Sequence, residues 1–222
     1  MRVNRFVATA SGLSRRAADI AVSAGRVRIG DQAAGIGDQV GPADTVTLDG
    51  NRLELSRHHT IILHKPIGYV TSRRQQGTTP TIYALLPPSL HQLKSIGRLD
   101  RDSSGVLLLT NDGALAQQLQ HPSGGKTKHY LVWLDKPLDS SQLNQLRAGV
   151  RLDDGVSAMA VEPQADHYTV TLQEGRNRQI RRSFAALGLR VTKLHRTAFG
   201  RYRLGDLKPG DWRELADSED AA

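Results

Sequence analysis

Two carboxylates and an arginine stand close together in the stretch GRLDRDSSGVLLLTNDG, Gly97 to Gly113. Arg98, Asp100 and Asp102 lie in a polar loop just ahead of the apolar run Val106 to Leu109. A loop fixed by a buried strand can hold a carboxylate rigidly while it faces a cleft. Such a group can act as a nucleophile or a base, and a pair of them can hydrolyse a glycosidic bond. Read as a generic loop, the same Asp and Ser residues are simply turn formers. A second polar cluster, EGRNRQIRRSF, carries Arg178, Arg181 and Arg182 at the start of a helical pattern. With Ile180 on the core face, Arg181 lies about 100° round the helix, at its edge. Guanidinium groups there can meet a carboxylate or a phosphate. The chain has no cysteine, which excludes disulfides, a thiol nucleophile and Cys-ligated zinc. His58 and His59 are adjacent in a polar stretch and read as solvent-facing, so no metal site is expected.

The elements that must carry these groups fall into two sets. Val3, Phe6, Val7 and Ala10 recur at helical spacing. A second helix is expected from Arg15 to Ala24, with Ser14 as N-cap and Gly25 at its end. Strand signals follow at Arg26–Ile29, Thr45–Leu48 and Arg52–Leu55, with turns at Gly30-Asp31 and Asp49-Gly50. Beyond a linker at 57–60, strands are expected at Thr60–Leu63, Val106–Leu109, Tyr130–Leu134, Tyr168–Leu172 and Val191–Leu194. Helices are expected at Ala114–Leu119, Ser141–Ala148 and Asn177–Leu187, the last with Ile180, Phe184 and Leu187 on one face. The absence of a strict βαβ rhythm predicts an α+β protein with a mixed, mostly antiparallel sheet. The expected domains are 1–56 and 61–222.

Composition narrows the partner. The 222 residues carry 30 Lys plus Arg against 22 Asp plus Glu, a net charge of +8. From Arg2 to Arg28 there are six Arg and one acid; from Gln173 to Arg203, nine basic residues and one acid. Two separated basic segments suit an extended polyanion. No apolar run approaches the ~18 residues that span a bilayer, and the basic stretches lack a bulky apolar face for insertion. A cytoplasmic monomer fits these features.

GRLDRDSSG, the apolar strand and TNDG together resemble the catalytic motif of ribosomal RNA pseudouridine synthases, in the RsuA/RluB/RluE/RluF branch. The likeness continues through HKPIGYVTS (64–72), KTKHYLVWL (126–134), EGRNRQIRRSF (174–184) and VTKLHRTAFG (191–200). The segment SRRAADIAVSAGRVRI (14–29) resembles an S4-like RNA-binding domain of helix-helix-sheet form. Ser103 and Val106 stand where the family more often has Thr and Leu. The resemblance implies that Asp100 is the catalytic aspartate and that Arg181 pairs with it. It further implies that Tyr130 packs against the target base and Leu194 closes the site. Arg98, Arg178 and Arg182 are assigned to substrate, and Arg15, Arg16, Arg26 and Arg28 to RNA phosphates. The implied reaction isomerises uridine to pseudouridine without a cofactor or metal, on ribosomal RNA or subunit assembly intermediates. GDQV near Asp38 and LDDG near Asp154 slightly favour large-subunit RNA. A catalytically silent RNA-binding or ribosome-assembly protein and a nucleoside glycosidase are the rival readings.

Overall fold

Val3, Phe6 and Val7 share one helical face, and that face is buried against Ala18, Ala21 and Val22 of the next helix. The computed structural model describes residues 1–55, 58–75, 77–120 and 126–215. The chain divides into two units, Met1–His58 and His59–Ala222. In the first, α1 (Val3–Ser11) and α2 (Arg15–Ser23) pack on a four-stranded antiparallel sheet. Ser14 Oγ accepts from the Ala17 amide and caps α2. The strands are β1 (Val27–Ile29), β2 (Gln32–Ala33), β3 (Val46–Leu48) and β4 (Asn51–Leu53), in the order β2-β1-β3-β4. Asp49 and Gly50 both have positive φ (54° and 81°), the conformation a two-residue hairpin needs.

The second unit holds a nine-stranded mixed sheet. Its early elements are β5 (Thr60–Lys65), β6 (Lys94–Ile96), β7 (Ser104–Thr110), α3 (Gly113–Gln120), β8 (Lys128–Leu134) and α4 (Ser140–Ala148). The hairpin β9 (Val150–Leu152) and β10 (Gly155–Ser157) follows, then β11 (Ala160–Pro163) and β12 (Tyr168–Leu172). The last elements are α5 (Gln179–Ala186), β13 (Val191–Phe199), β14 (Tyr202–Arg203) and β15 (Trp212–Glu214). The sheet order is β11-β12-β8-β13-β7-β5-β15, with β14 on β13 and β6 on β7. Among the described pairs only β13 and β7 are parallel.

The central strands are apolar on both faces, as a sheet covered on both sides requires. Ile61, Leu63, Leu107 and Leu109 join one core with Tyr130, Val132, Ile180, Phe184 and Leu194. Ile62, Val106 and Leu108 join the other with Leu115, Leu119 and Phe199. Three boundaries differ from the expected ones. Thr60 is 2% exposed and opens β5, and the His59 amide donates to Asn111 Oδ1 (2.7 Å), so 59–60 belong to the second unit. Of the expected linker, residue 57 lies outside the described residues. β13 runs on to Phe199, which still pairs with Lys128 of β8; the register shift between Arg196 and Ala198 interrupts the alternation that would reveal this extension. α5 starts at Gln179 because Arg178 is left-handed.

Candidate active site

Period-two alternation puts Lys65 on the same side of β5 as Ile61 and Leu63, where it is fully buried. Its ammonium donates to the carbonyls of Pro66 (3.0 Å), Asp100 (2.9 Å) and Ser103 (2.8 Å), one for each proton. Burial pulls this ammonium from 10.5 down to about 8; Asp100 and Asp102 oppose the fall and Arg196 adds to it. Two further groups of the turn after β5 grip the same loop. Thr71 Oγ1 donates to the Leu99 carbonyl (2.8 Å) and accepts from the Leu99 amide (3.2 Å). The Gly68 amide donates to the Arg101 carbonyl (2.7 Å). Arg181 Nη2 donates to the Asp102 carbonyl (2.8 Å). Every residue from Leu99 to Ser103 is therefore held through its main-chain carbonyl, and Asp100 sits in the middle of that clamped loop.

Two carboxylates and two guanidinium groups meet beside this loop. Arg178 makes a two-pronged pair with Asp102, Nη1 to Oδ1 at 3.0 Å and Nη2 to Oδ2 at 3.1 Å. Its Nη1 is also 3.8 Å from Asp100 Oδ2. Arg181 Nε lies 3.2 Å from Asp102 Oδ2, and its Nη1 donates to the Val191 carbonyl (2.8 Å). Burial raises the Asp102 carboxyl, but the Arg178 hydrogen bond and the two positive charges hold it below its ordinary value. The Asp100 side chain stays 29% exposed, open to a molecule entering from solvent. Arg178 adopts φ 47°, ψ 31°, a conformation that costs a non-glycine residue about 1–2 kcal/mol. The turn into α5 is secured nonetheless. Gln179, 4% exposed, accepts from the Arg176 amide (3.2 Å) and donates to Ser157 Oγ (2.9 Å).

The family model for RNA pseudouridylate synthase matches residues 59–186, which contain this loop and both arginines. The chain belongs to the RNA pseudouridylate synthase family. An uncharacterised RNA pseudouridine synthase of Aquifex aeolicus is 35% identical, the match covering 99% of this chain and 92% of that one. The ribosomal large subunit pseudouridine synthase B of Bacillus subtilis is 32% identical, covering 98% and 93%. The dual-specificity RNA pseudouridine synthase RluF of Escherichia coli is 34% identical, covering 99% and 77%. A crystal structure of a pseudouridylate synthase superimposes with a TM-score of 0.71 at 31% identity, over 99% of this chain and 98% of that one.

The synthase fold gathers some of the expected site residues and disperses others. Tyr130, 7% exposed, sits on β8 between Val170 and Arg196; Leu194, 6% exposed, lies across from Val132. Both share a core with Leu99, the neighbour of Asp100, and with Ile180 of α5. The expected pair between Arg181 and Asp100 is not formed: Arg181 is committed to Asp102 and Val191, and the nearer cation to Asp100 is Arg178. Arg182 is taken by Asp154 (2.6 Å), which also binds Arg176 (2.9 Å). Arg98 is exposed with no partner among the described residues. In the first unit Arg15 and Arg16 are exposed, whereas Arg26 pairs with Asp49 and Arg28 donates to the Asp31 carbonyl. Sequence reading missed Lys65 and Thr71. The signal for Lys65 was present: it continues the buried alternation of Ile61 and Leu63 beyond the point where a lysine is expected to leave the core.

Proposed function

We propose that this synthase converts one or a few uridines of ribosomal RNA, in the large subunit, to pseudouridine, with Asp100 as the essential carboxylate. The observation that carries the reading is the clamped loop 99–103, which leaves the Asp100 carboxylate open beside two guanidinium groups in a chain of this family. The reaction breaks the bond from uracil nitrogen 1 to the sugar, turns the base and rejoins it through carbon 5. Nitrogen 1 gains a proton and carbon 5 loses one, so the product is an isomer and no electrons are exchanged. Asp100 attacks the sugar, attacks the base or removes a sugar proton; each route needs an ionised carboxylate at the junction of base and sugar. The nucleotide must be flipped out of its stack, at a cost of a few kcal/mol. Stacking on Tyr130 recovers about 1–3 kcal/mol of it, with Leu194 closing the pocket.

The first unit, helix-helix-sheet in order, acts as an S4-like module whose Arg15 and Arg16 meet RNA phosphates. The protein works as a monomer in the cytoplasm, on free RNA or on subunit assembly intermediates. The name of the B. subtilis relative supports a large-subunit target. The test is to incubate the protein with unmodified large- and small-subunit transcripts and with partly assembled subunits, then map pseudouridine by carbodiimide-dependent primer-extension stops. One or a few new stops in large-subunit RNA are expected. Stops confined to the small subunit would move the target, and release of free uracil would mean a glycosidase.

A further inference from the structure

Both peptide groups that flank Ile67 are fixed. The Pro66 carbonyl before it accepts from the buried Lys65 ammonium (3.0 Å), and the Gly68 amide after it donates to the Arg101 carbonyl (2.7 Å). Lys65 in turn holds the Asp100 and Ser103 carbonyls, so this turn and loop 99–103 are braced against each other. Pro66 restricts its own φ, and Gly68 supplies a φ of 93°. On this turn the Ile67 side chain stands in solvent, 65% exposed, although Ile61, Ile62 and Leu63 just before it are fully buried. Single apolar side chains are ordinary on a protein surface. This one differs in being pinned by its backbone to the loop that carries Asp100. Arg98 and Arg101, on either side of Asp100 in the chain, are also exposed and have no side-chain partner among the described residues. An apolar tip beside two such cations is complementary to a base step with its phosphates.

When a target uridine leaves its stack, each adjacent base is left with one bare face. Covering such a face with an apolar side chain stabilises the flipped-out state over the stacked one. We propose that Ile67 covers the bare face of one nucleotide next to the target uridine, with Arg98 and Arg101 on the flanking phosphates. Ile67 thereby favours the extrusion of that uridine toward Asp100 without touching the reacting base. This rests on the reading of Asp100 as the essential carboxylate acting on RNA. Because the contact is made to a neighbour of the target, it also makes the enzyme sensitive to what stands at that neighbouring position.

The test measures kcat/KM for wild type, Ile67→Ala, Ile67→Leu and Val156→Ala on three ribosomal RNA fragments that carry the target uridine. One fragment is intact; the others have an abasic ribose immediately 5′ or immediately 3′ of that uridine. If free RNA is not turned over, the same three RNAs are first assembled into subunits. Burying an isoleucine is worth about 5- to 30-fold beyond the methyl that alanine keeps, so Ile67→Ala should lose that factor on the intact RNA. On one abasic RNA, Ile67→Ala and wild type should agree within about 2-fold, because the face that Ile67 covers is missing. On the other abasic RNA the loss should persist. Ile67→Leu should keep most of the wild-type activity. Val156→Ala, which trims a comparably exposed valine (62%) on β10, should match wild type on all three RNAs. An unchanged kcat/KM for Ile67→Ala on the intact RNA overturns the proposal. So does an equal loss on all three RNAs, which is what a disturbed turn or a contact to a neighbouring protein gives. Asp100→Asn, measured alongside, separates the two readings: if it is active, the essential-carboxylate reading fails first. If it is inactive and the Ile67→Ala effect ignores the neighbouring base, only the role of Ile67 fails. Absence of turnover by wild type in every form of the RNA overturns both.

Discussion

At the scale of single residues, the position of Asp100 depends on a lysine that makes no contact with its side chain. Lys65 supplies the hydrogen bonds to the Asp100, Ser103 and Pro66 carbonyls, and Met in its place fills the space without donating. The Asp100 carbonyl keeps the Ser103 amide (3.1 Å), whereas a buried carbonyl that loses its donor costs about 1–3 kcal/mol. Lys65→Met should therefore lose on the order of 2–4 kcal/mol in urea unfolding and lower kcat, since the loop carrying Asp100 loosens. The same lysine has a pH signature. The folded protein releases its proton near 8, whereas the unfolded chain keeps it to 10.5. Over that window the unfolded state binds more protons, so the stability of wild type relative to Lys65→Met should rise with pH. A flat or falling difference would show that Lys65 is not held in the buried state seen here. The loop that carries Asp100 ahead of β7 was legible in the sequence because its whole motif is contiguous. The partner of Arg181 was not, because residues 76–79 positions apart are joined only by the fold: Arg178 to Asp102, and Arg181 to the Asp102 carbonyl.

At the scale of elements, the parallel contact between β7 and β13 ties the strand after loop 99–103 to the second half of the sheet. It depends on Gly105, which has φ 116°. A Cβ built there would stand 2.1 Å from the Arg196 carbonyl oxygen and 2.6 Å from its nitrogen, both backbone atoms that cannot turn aside. Gly105→Ala should destabilise the protein by more than ~3 kcal/mol, beyond what a surface change does, because two strands must part to admit one methyl. A melting temperature equal to that of wild type would contradict this close approach. The apolar run Val106–Leu109 and the alternating Tyr168–Leu172 were readable as strands from their residues. The β9–β10 hairpin and β11 were not, since they are short and their exposed residues break any alternation. The extended part of β13 was hidden by the register shift between Arg196 and Ala198.

At the scale of the whole molecule, charge is divided between the two units. In the first, Arg15 and Arg16 stand exposed at the start of α2, while Arg26 and Arg28 are already engaged within the unit. If Arg15 and Arg16 each meet a phosphate, replacing both with Ala should weaken RNA binding about equally across sequences. The slope of log affinity against log salt should become shallower by about 1.5–2. An unchanged slope would leave these arginines as solvated surface groups. The helix-helix-sheet order and the basic bias of this unit were both readable from the sequence, whereas Asp49 as the partner of Arg26 required the fold.

The central claim is that this family member isomerises uridine through Asp100. It is tested most directly with ribosomal RNA carrying tritium at carbon 5 of uracil, because bonding at that carbon expels the label into water. Wild type should release tritium in proportion to the pseudouridine formed, and Asp100→Asn should release none while binding the RNA as tightly. Equal release by the two proteins, or tight binding with no release by wild type from either free RNA or assembly intermediates, would contradict it.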